Sequence, residues 1–477
     1  MRMYFYLLPC TMTIEKGATV MSKFKNSNKA IMTIILTGSF LSVLSMTVMT
    51  TAIPVIMNDL SISANTAQWL NSIFVIIIGL LAPVSAYELN RFTSRQIFFA
   101  AMLSFSVGTT LGFLAYDFNV LLLGRVFQAI GAGLFLPLVS AVIFAVYPMK
   151  KRGKMMGLSG LIGAFAPAVG PSFSGWLLEF YDWRMIFLVL LPIIALDMAA
   201  GYFVLTNVTK QQPTRLDLPS VLLSSIGLAA FLYGCNTAGV RDWSDWEVWG
   251  SVLAGAAAII WFVCRQFLIR KPILDLRVFQ NPIYSITSVI AMISFASMIS
   301  AETILPIYMQ SIMNLTPFQS GLVLLPGAVV LGIVSFFAGQ LFDWKGARWL
   351  SIGGAVLLAL FTFMLTRLTP QTTIGYLTFV QTARMLGISM INMPVRTAGL
   401  NELSEKYISH GIAVGSSTRQ IGAGIGTALL IVVMTLSSQG GSFVGVKGVN
   451  TAFFVATITS IIALILSLFI PSTKKDN

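Results

Sequence analysis

Apolar runs long enough to cross a bilayer recur from residue 31 to residue 470, joined by short polar connections. A hydrocarbon core is about 30 Å thick, so a helix needs roughly 20 apolar residues to span it. The runs fall at 31–53, 66–88, 96–116, 119–147, 153–177, 184–206, 217–238, 246–268, 283–310, 319–341, 348–368, 374–399, 411–436 and 450–470. Backbone polar groups inside lipid must be satisfied within their own segment, which makes each run a helix. The expected fold class is therefore an all-α membrane protein of fourteen spans. Residues are 56% hydrophobic and 10% charged, with a mean hydropathy of +0.84, so no stretch remains for a large soluble domain.

The net charge of +13 raises the question of a nucleic-acid partner, but its placement answers it. Basic residues concentrate in alternate connections, such as Lys150, Lys151, Arg152 and Lys154, or Arg265, Arg270, Lys271 and Arg277, while the intervening connections hold almost none. That asymmetry is the positive-inside pattern and predicts both termini on the cytoplasmic side. No nucleic-acid partner is expected; the partner is the lipid bilayer. Cys10, Cys235 and Cys264 have no metal-ligand spacing, and His410 is the single histidine, so no metal site is expected. Residues 1–20 precede Met21-Ser22-Lys23, which opens a conventional basic leader, and Met21 is the expected start.

The long basic connections after the sixth and eighth runs divide the chain. The expected organisation is a leader over 1–30, a six-helix bundle over 31–206, two additional helices over 217–268, a second six-helix bundle over 283–470 and a tail over 471–477. An internal repeat supports the two bundles. A polar motif around Asn90 recurs around Asp343, and Arg125 in LLLGRVFQAIGAG recurs as Arg384 in VQTARMLGISM, at nearly the same separation.

Ionisable residues inside spans are functional candidates because lipid makes them costly. They are Arg125, Asp197, Glu302, Arg384 and Arg419, with Glu88 at a helix end. Glu302 in ISAETILPIYMQ is the first choice for a proton-coupling group, since a desolvated carboxylate binds a proton more readily; the alternative is a permanent ion pair or a place near the outer rim. Asp197 in an otherwise apolar run is the second choice, the alternative being a packing role. Arg125 and Gln128 share a helix face, and Arg125 is read either as a partner for an acid in one state or as a permanent structural group. Ser45, Thr47, Gln128, Arg384 and Arg419 are the candidates for lining a substrate cavity. Glu88, Arg91 and Arg95 are expected to form a salt-bridge latch at the cytoplasmic ends of helices. Gly160, Gly163, Pro167, Gly170 and Ser174 share one face of the fifth run, a small surface on which another helix can pack or slide.

These motifs resemble the major facilitator superfamily, in particular its fourteen-span drug:proton antiporter branch and, within it, lincomycin-resistance-type multidrug exporters. Ala166 to Pro171 through Gly175 and Trp176 is similar to that branch's fifth-helix antiporter motif; Gly163, Pro167, Gly170, Pro171 and Gly175 carry the match. Leu123-Gly124-Arg125 with Gln128 and Gly131 resembles the fourth-helix motif, whose arginine is linked to proton coupling in relatives. Gly339, Leu341, Asp343, Gly346 and Arg348 fit the cytoplasmic gating loop, and Trp183-Arg184 resembles the start of the sixth helix. Two departures stand out. The first gating-loop copy has Asn90 where an acid is usual, and the first helix has Ser45 and Met46 where relatives carry acidic or amide residues.

The resemblance implies two six-helix bundles rocking about a midplane cavity and exporting lipophilic drugs in exchange for protons. It also implies a multi-pass protein of the bacterial cytoplasmic membrane. No nucleotide or cofactor is expected; the proton gradient supplies the energy, no Walker sequence is present, and a monomer is expected. An importer or metabolite exporter on the same fold, driven by protons or sodium, is the nearest alternative. A membrane-embedded enzyme or a sensor is the remote one, since the intramembrane ionisable groups are too scattered for catalysis. Bulk at Gly170 is expected to jam the movement of the halves.

Overall fold

A computed structural model describes residues 28–209, 211, 217–237, 245–269, 272–438 and 445–471. The expectations about Met21, the leader over 1–27, Cys10, and the tail beyond residue 471 lie outside the described residues. So do the Pro171 and Cys235 side chains.

Among the described residues the first bundle holds α1 (Asn28–Asp59), α2 (Ala64–Leu81), α3 (Ser85–Arg91), α4 (Ser94–Phe113), α5 (Phe118–Val146), α6 (Met149–Phe180) and α7 (Met185–Val204). A hairpin follows, α8 (Leu218–Thr237) and α9 (Trp246–Leu268). The last group is α10 (Pro282–Ser311), α11 (Pro317–Lys345), α12 (Ala347–Met364), α13 (Ile374–Asn401), α14 (Glu405–Ser437) and α15 (Val446–Leu468). Ten of these helices are long and apolar enough to cross a membrane, and α2 with α3, bent by 57° at a short break, makes an eleventh. Taking that pair as one, every apolar run of the sequence is a helix, and α6, α8 and α13 complete the fourteen.

Side-chain caps set several helix starts. Thr93 and Gln96 form a reciprocal capping box at α4, Thr316 and Gln319 another at α11, and Asp117 caps α5. Pro54, Pro137, Pro192, Pro306, Pro326 and Pro394 all lie inside helices. Such prolines are tolerated within a bundle because neighbouring groups re-satisfy the freed backbone. Tryptophans 176, 246, 344 and 349 stay exposed near helix ends, the positions at which indoles favour the lipid–water interface.

In the first bundle α1 packs on α5, α6 and α7, α4 on α5 and α7, and α2 on α5. In the second, α10 packs on α13, α14 and α15, while α13 packs on α11 and α12. The bundles meet along α6 with α11 and along α3 with α14. The α8–α9 hairpin lies at the second of these seams, since α8 contacts both α2 and α14. Trp69 of α2 stacks on Tyr233 of α8 at 6.0 Å between ring centroids. Arg265 of α9 holds Asp217 at 3.1 Å where the hairpin begins and ends.

Close approach at the α6–α11 seam depends on glycine. A Cβ on Gly157 would lie 2.6 Å from the Ser335 carbonyl oxygen, and one on Gly339 would collide with the Gly153 backbone. Helices in lipid gain little from the hydrophobic effect between them, so backbone contact of this kind supplies the dispersion that holds them.

Candidate functional site

The two repeated arginines are the largest polar side chains in the interior, each fully buried. From α5, Arg125 donates to the Leu70 carbonyl of α2 at 3.1 Å and to the Ser45 carbonyl and hydroxyl of α1 at 3.1 and 3.2 Å. It also donates to Gln128 Oε1 at 2.9 Å and lies over the Phe74 ring at 4.3 Å. Gln128 in turn donates to Thr109 of α4 at 3.0 Å. From α13, Arg384 donates to Thr362 of α12 at 3.1 Å, to Gln381 at 3.3 Å, and to the Ser297 carbonyl and hydroxyl of α10. The same residue types recur: an arginine, a glutamine three residues away on one side or the other, a serine on the first span of the bundle and a threonine on the third, which accepts from the glutamine in one cluster and from the arginine in the other. Among the described residues no carboxylate hydrogen-bonds Arg125. Neutral acceptors of several helices surround it, and the expected exchange of an acid partner is not formed here.

These contacts correct the expected cavity. Ser45, Gln128 and Arg384 are 3% exposed or less, so they brace their bundles from inside and line no open space. Thr47 turns its hydroxyl to the Leu44 carbonyl at 3.1 Å and supports α6 at Gly170. Arg419 is half-buried in a recess beside Arg396 and Tyr284.

Glu302 differs from the expectation in another way. Its side chain is exposed although protein surrounds it densely, so it faces the interior space between helices and is not sealed in packing. The Arg384 guanidinium is its charged neighbour. Asp197 is buried on the α7 face that also carries Ile194 and Gly201, and its Oδ2 has no hydrogen-bond partner. The two candidate acids therefore stand in different bundles, one accessible and one sealed.

The bundles close on each other at the basic end. Asp343 accepts from the backbone N–H groups of Gly153 at 2.9 Å and Lys154 at 2.7 Å. Arg152 donates to Asn401 at 3.0 Å. At the related place on the other seam, Asn90 meets His410 Nε2 at 3.5 Å, and His410 Nδ1 accepts from the Asp275 N–H at 3.1 Å. Gly346, at φ 79°, makes the turn from α11 into α12, a backbone conformation that glycine adopts without cost. Arg348 follows it with a buried Nε lacking a partner.

The expected latch of Glu88 with Arg91 and Arg95 is not formed. Glu88 is buried with an unpartnered Oε1, because the short α3 turns it inward. Arg91 points to solvent, and Arg95 donates to the Tyr202 carbonyl at 3.1 Å and stacks over that ring.

The small face of α6 is divided between two neighbours. Gly157 lies on α11 and Gly160 on Ser335 and Met393, whereas Gly170 lies against Thr47 and Val48 of α1 in its own bundle. The Thr51 and Ser174 hydroxyls bond beside it. Added Cβ atoms on Gly163 and Gly175 would meet nothing within 4 Å. Pro167 is half-buried.

Several residues of these clusters escape a reading by motif. Ser297 and Leu70 take part through backbone carbonyls, for which a sequence carries no signal. Asp59 accepts from the Trp183 indole at 2.9 Å and from Arg184 at 3.1 Å, tying the outer end of α1 to α7. His410, a lone histidine without metal-ligand spacing, carries no motif that points to the seam. Arg396 falls within the 374–399 run, and the criterion of a charge inside a span picks it out as readily as Arg384.

A family model described as the Major Facilitator Superfamily matches residues 35–427. An "Uncharacterized MFS-type transporter YcnB" of Bacillus subtilis (strain 168) is 39% identical over 94% of this chain and 96% of its own. The "Lincomycin resistance protein LmrB" of the same organism is 35% identical, covering 98% of this chain and 100% of its own. Among solved structures, the human organic anion transporter MFSD10 superposes with a TM-score of 0.67 at 11% identity, over 92% of this chain and 99% of that one, a likeness of fold alone. The duplicated bundles, the paired arginine clusters and these matches together place the chain in the major facilitator superfamily, a family of membrane transporters.

Proposed function

We propose that this transporter is a proton-coupled multidrug exporter that moves lipophilic antibiotics or similar toxic compounds outward by alternating access. The observation carrying the reading is Glu302: an accessible carboxylate deep in a helix otherwise free of acids, with Arg384 as its charged neighbour. A carboxylate that water reaches from one side at a time can load a proton on one face of the membrane and release it on the other. Arg384 is its charged neighbour in this conformation, and the rocking of the bundles would change that neighbour. A coupling ion drives such a cycle only through different affinity for the two states, and that change of neighbour provides it.

The relatives' names support the drug reading, since a homologue over 98% of this chain is described as a lincomycin resistance protein and one over 83% of it as a multidrug resistance protein homolog. The basic connections support a cytoplasmic position for both termini, and a monomer is sufficient for the cycle because both bundles belong to one chain. Asp197 is the second acid proposed to take part, through its unpartnered oxygen.

Drug accumulation in inverted vesicles tests this reading. Uptake should collapse with a protonophore, and Glu302→Gln should abolish proton-driven uptake while drug binding persists. Energy-independent uptake by wild type, or unchanged pH dependence in Glu302→Gln, would overturn it. Dependence on a sodium gradient would replace the proton with sodium.

A further inference from the structure

We propose that Arg396 and Arg419 form a binding site for one compact anionic group, a carboxylate or a halide-sized inorganic anion. The two guanidinium groups, from α13 and α14, line one recess with Tyr284, Ser288, Gly399 and Gly415. They stand close enough to repel one another, and Tyr284 is the electrostatic neighbour of both. Among the described residues neither arginine has a salt bridge or hydrogen bond, in contrast to Arg125 and Arg384, which donate to acceptors of other helices.

Two adjacent cations within a membrane-spanning bundle are costly unless an opposite charge joins them. No carboxylate of this chain does so among the described residues. The Tyr284 hydroxyl is already committed as a donor to the Gly411 carbonyl at 2.6 Å, which fixes the ring as a wall of the recess. The N–H groups of the arginines are thus the available donors, and guanidinium forks suit carboxylate oxygens and small anions.

Size narrows the ligand. The recess offers about 20 Å³ to a water-sized group, where a single water requires about 10–15 Å³. One chloride or one carboxylate head fits. The absence of a side chain at Gly415 keeps the way to Arg419 clear, since the nearest atom to an added Cβ there is Arg419 Nη1 at 3.5 Å. The site stands independently of what is transported: it is either a resident inorganic anion that neutralises the pair or the acid group of an amphiphilic substrate.

The purified full-length protein in lipid nanodiscs is suited to the test. Its unfolding midpoint is titrated with sodium chloride against sodium gluconate at equal ionic strength, and with decanoate against decanol. A saturable rise with chloride or decanoate, and none with gluconate or decanol, is expected. Arg396→Gln and Arg419→Gln should each raise the half-saturating concentration at least ~10-fold, as expected for loss of a charge-assisted hydrogen bond. Arg419→Lys, which keeps the charge, should retain most of the binding and guards against a variant that merely fails to fold. A response to both ligands identifies a free-anion site, and a response to decanoate alone identifies an amphiphile's acid group; either supports the proposal. Equal midpoints in all salts, or unchanged half-saturation in the Arg396→Gln/Arg419→Gln double variant, would overturn it. Drug efflux by wild type is measured separately, so the two readings fail separately.

Discussion

Arg125 and Arg384 show how a single residue can organise a bundle. Each buried guanidinium spends its fork on acceptors from other helices, two of them backbone carbonyls inside transmembrane segments in the case of Arg125. Lysine offers three donors from one point and cannot span that geometry. Arg384→Lys should therefore lower the unfolding midpoint and reduce transport, at ~1–3 kcal/mol for each buried acceptor left bare. A midpoint equal to wild type in a thermal melt would show that the cluster is not a brace. Asp59 gives a pH-dependent counterpart outside the membrane. Hydrogen bonds from the Trp183 indole and Arg184 hold its carboxyl below the usual carboxylate range. The ionised form is favoured in the folded state, so its contribution is present above the unfolded value near 3.8 and disappears as the pH falls through the lower folded value. Stability of Asp59→Asn should accordingly lose part of its acid dependence, which melts between neutral pH and pH ~3 would detect. The arginines were legible because charge is rare in apolar runs. Their partners were not, because a serine hydroxyl or a carbonyl leaves no mark in a sequence until the helices are brought together.

At the scale of an element, α6 carries a small face that the sequence presented as a single sliding surface. The structure splits it. Gly157 and Gly160 face the opposite bundle, and Gly170 sits on α1 within its own bundle. The reason is geometric: the basic end of α6 lies against α11, while Gly170, farther along, rests on α1. Bulk at the two ends should then fail differently. Gly157→Leu should keep the basic end from closing and block transport with the first bundle intact. Gly170→Leu should overpack α1 against α6 and cost about 1–3 kcal/mol of stability. Cysteine accessibility at the basic end, together with unfolding midpoints, separates the two. An unperturbed seam in Gly157→Leu, or full stability in Gly170→Leu, would return those positions to ordinary packing. The same limit explains the Glu88 expectation. Proximity in sequence to Arg91 and Arg95 suggested a latch, but the 57° break before α3 sets the direction of each side chain.

The whole molecule is two related bundles fastened at one end by unlike contacts on its two seams. On the α6–α11 seam the Asp343 carboxylate accepts from two successive backbone N–H groups of the other bundle. On the α3–α14 seam the corresponding contact is an amide, Asn90, against His410 at 3.5 Å, longer and without formal charge. Charge-assisted hydrogen bonds are about twice as strong as neutral ones, so the first seam holds the closed state more firmly. The degenerate first copy of the gating motif, legible in the sequence as Asn90 in place of an acid, thus has a physical meaning: the closed end is asymmetric. The α8–α9 hairpin lies along the weaker seam, with α8 against α2 and α14, which gives the additional helices a place if not a chemistry. Replacing Asp343 with Asn keeps the shape, leaves one neutral acceptor for one N–H and turns an NH2 donor toward the other. At ~1 kcal/mol or more lost for each bond, the ratio of closed to open molecules should fall at least ~10-fold. Spin labels on α6 and α11 at the basic end should then report a longer mean distance in Asp343→Asn. Asn90→Ala should move the distance between α3 and α14 far less. Equal shifts in the two variants would mean that the seams share the closing energy evenly, and that the amide–imidazole contact is as strong as the carboxylate one.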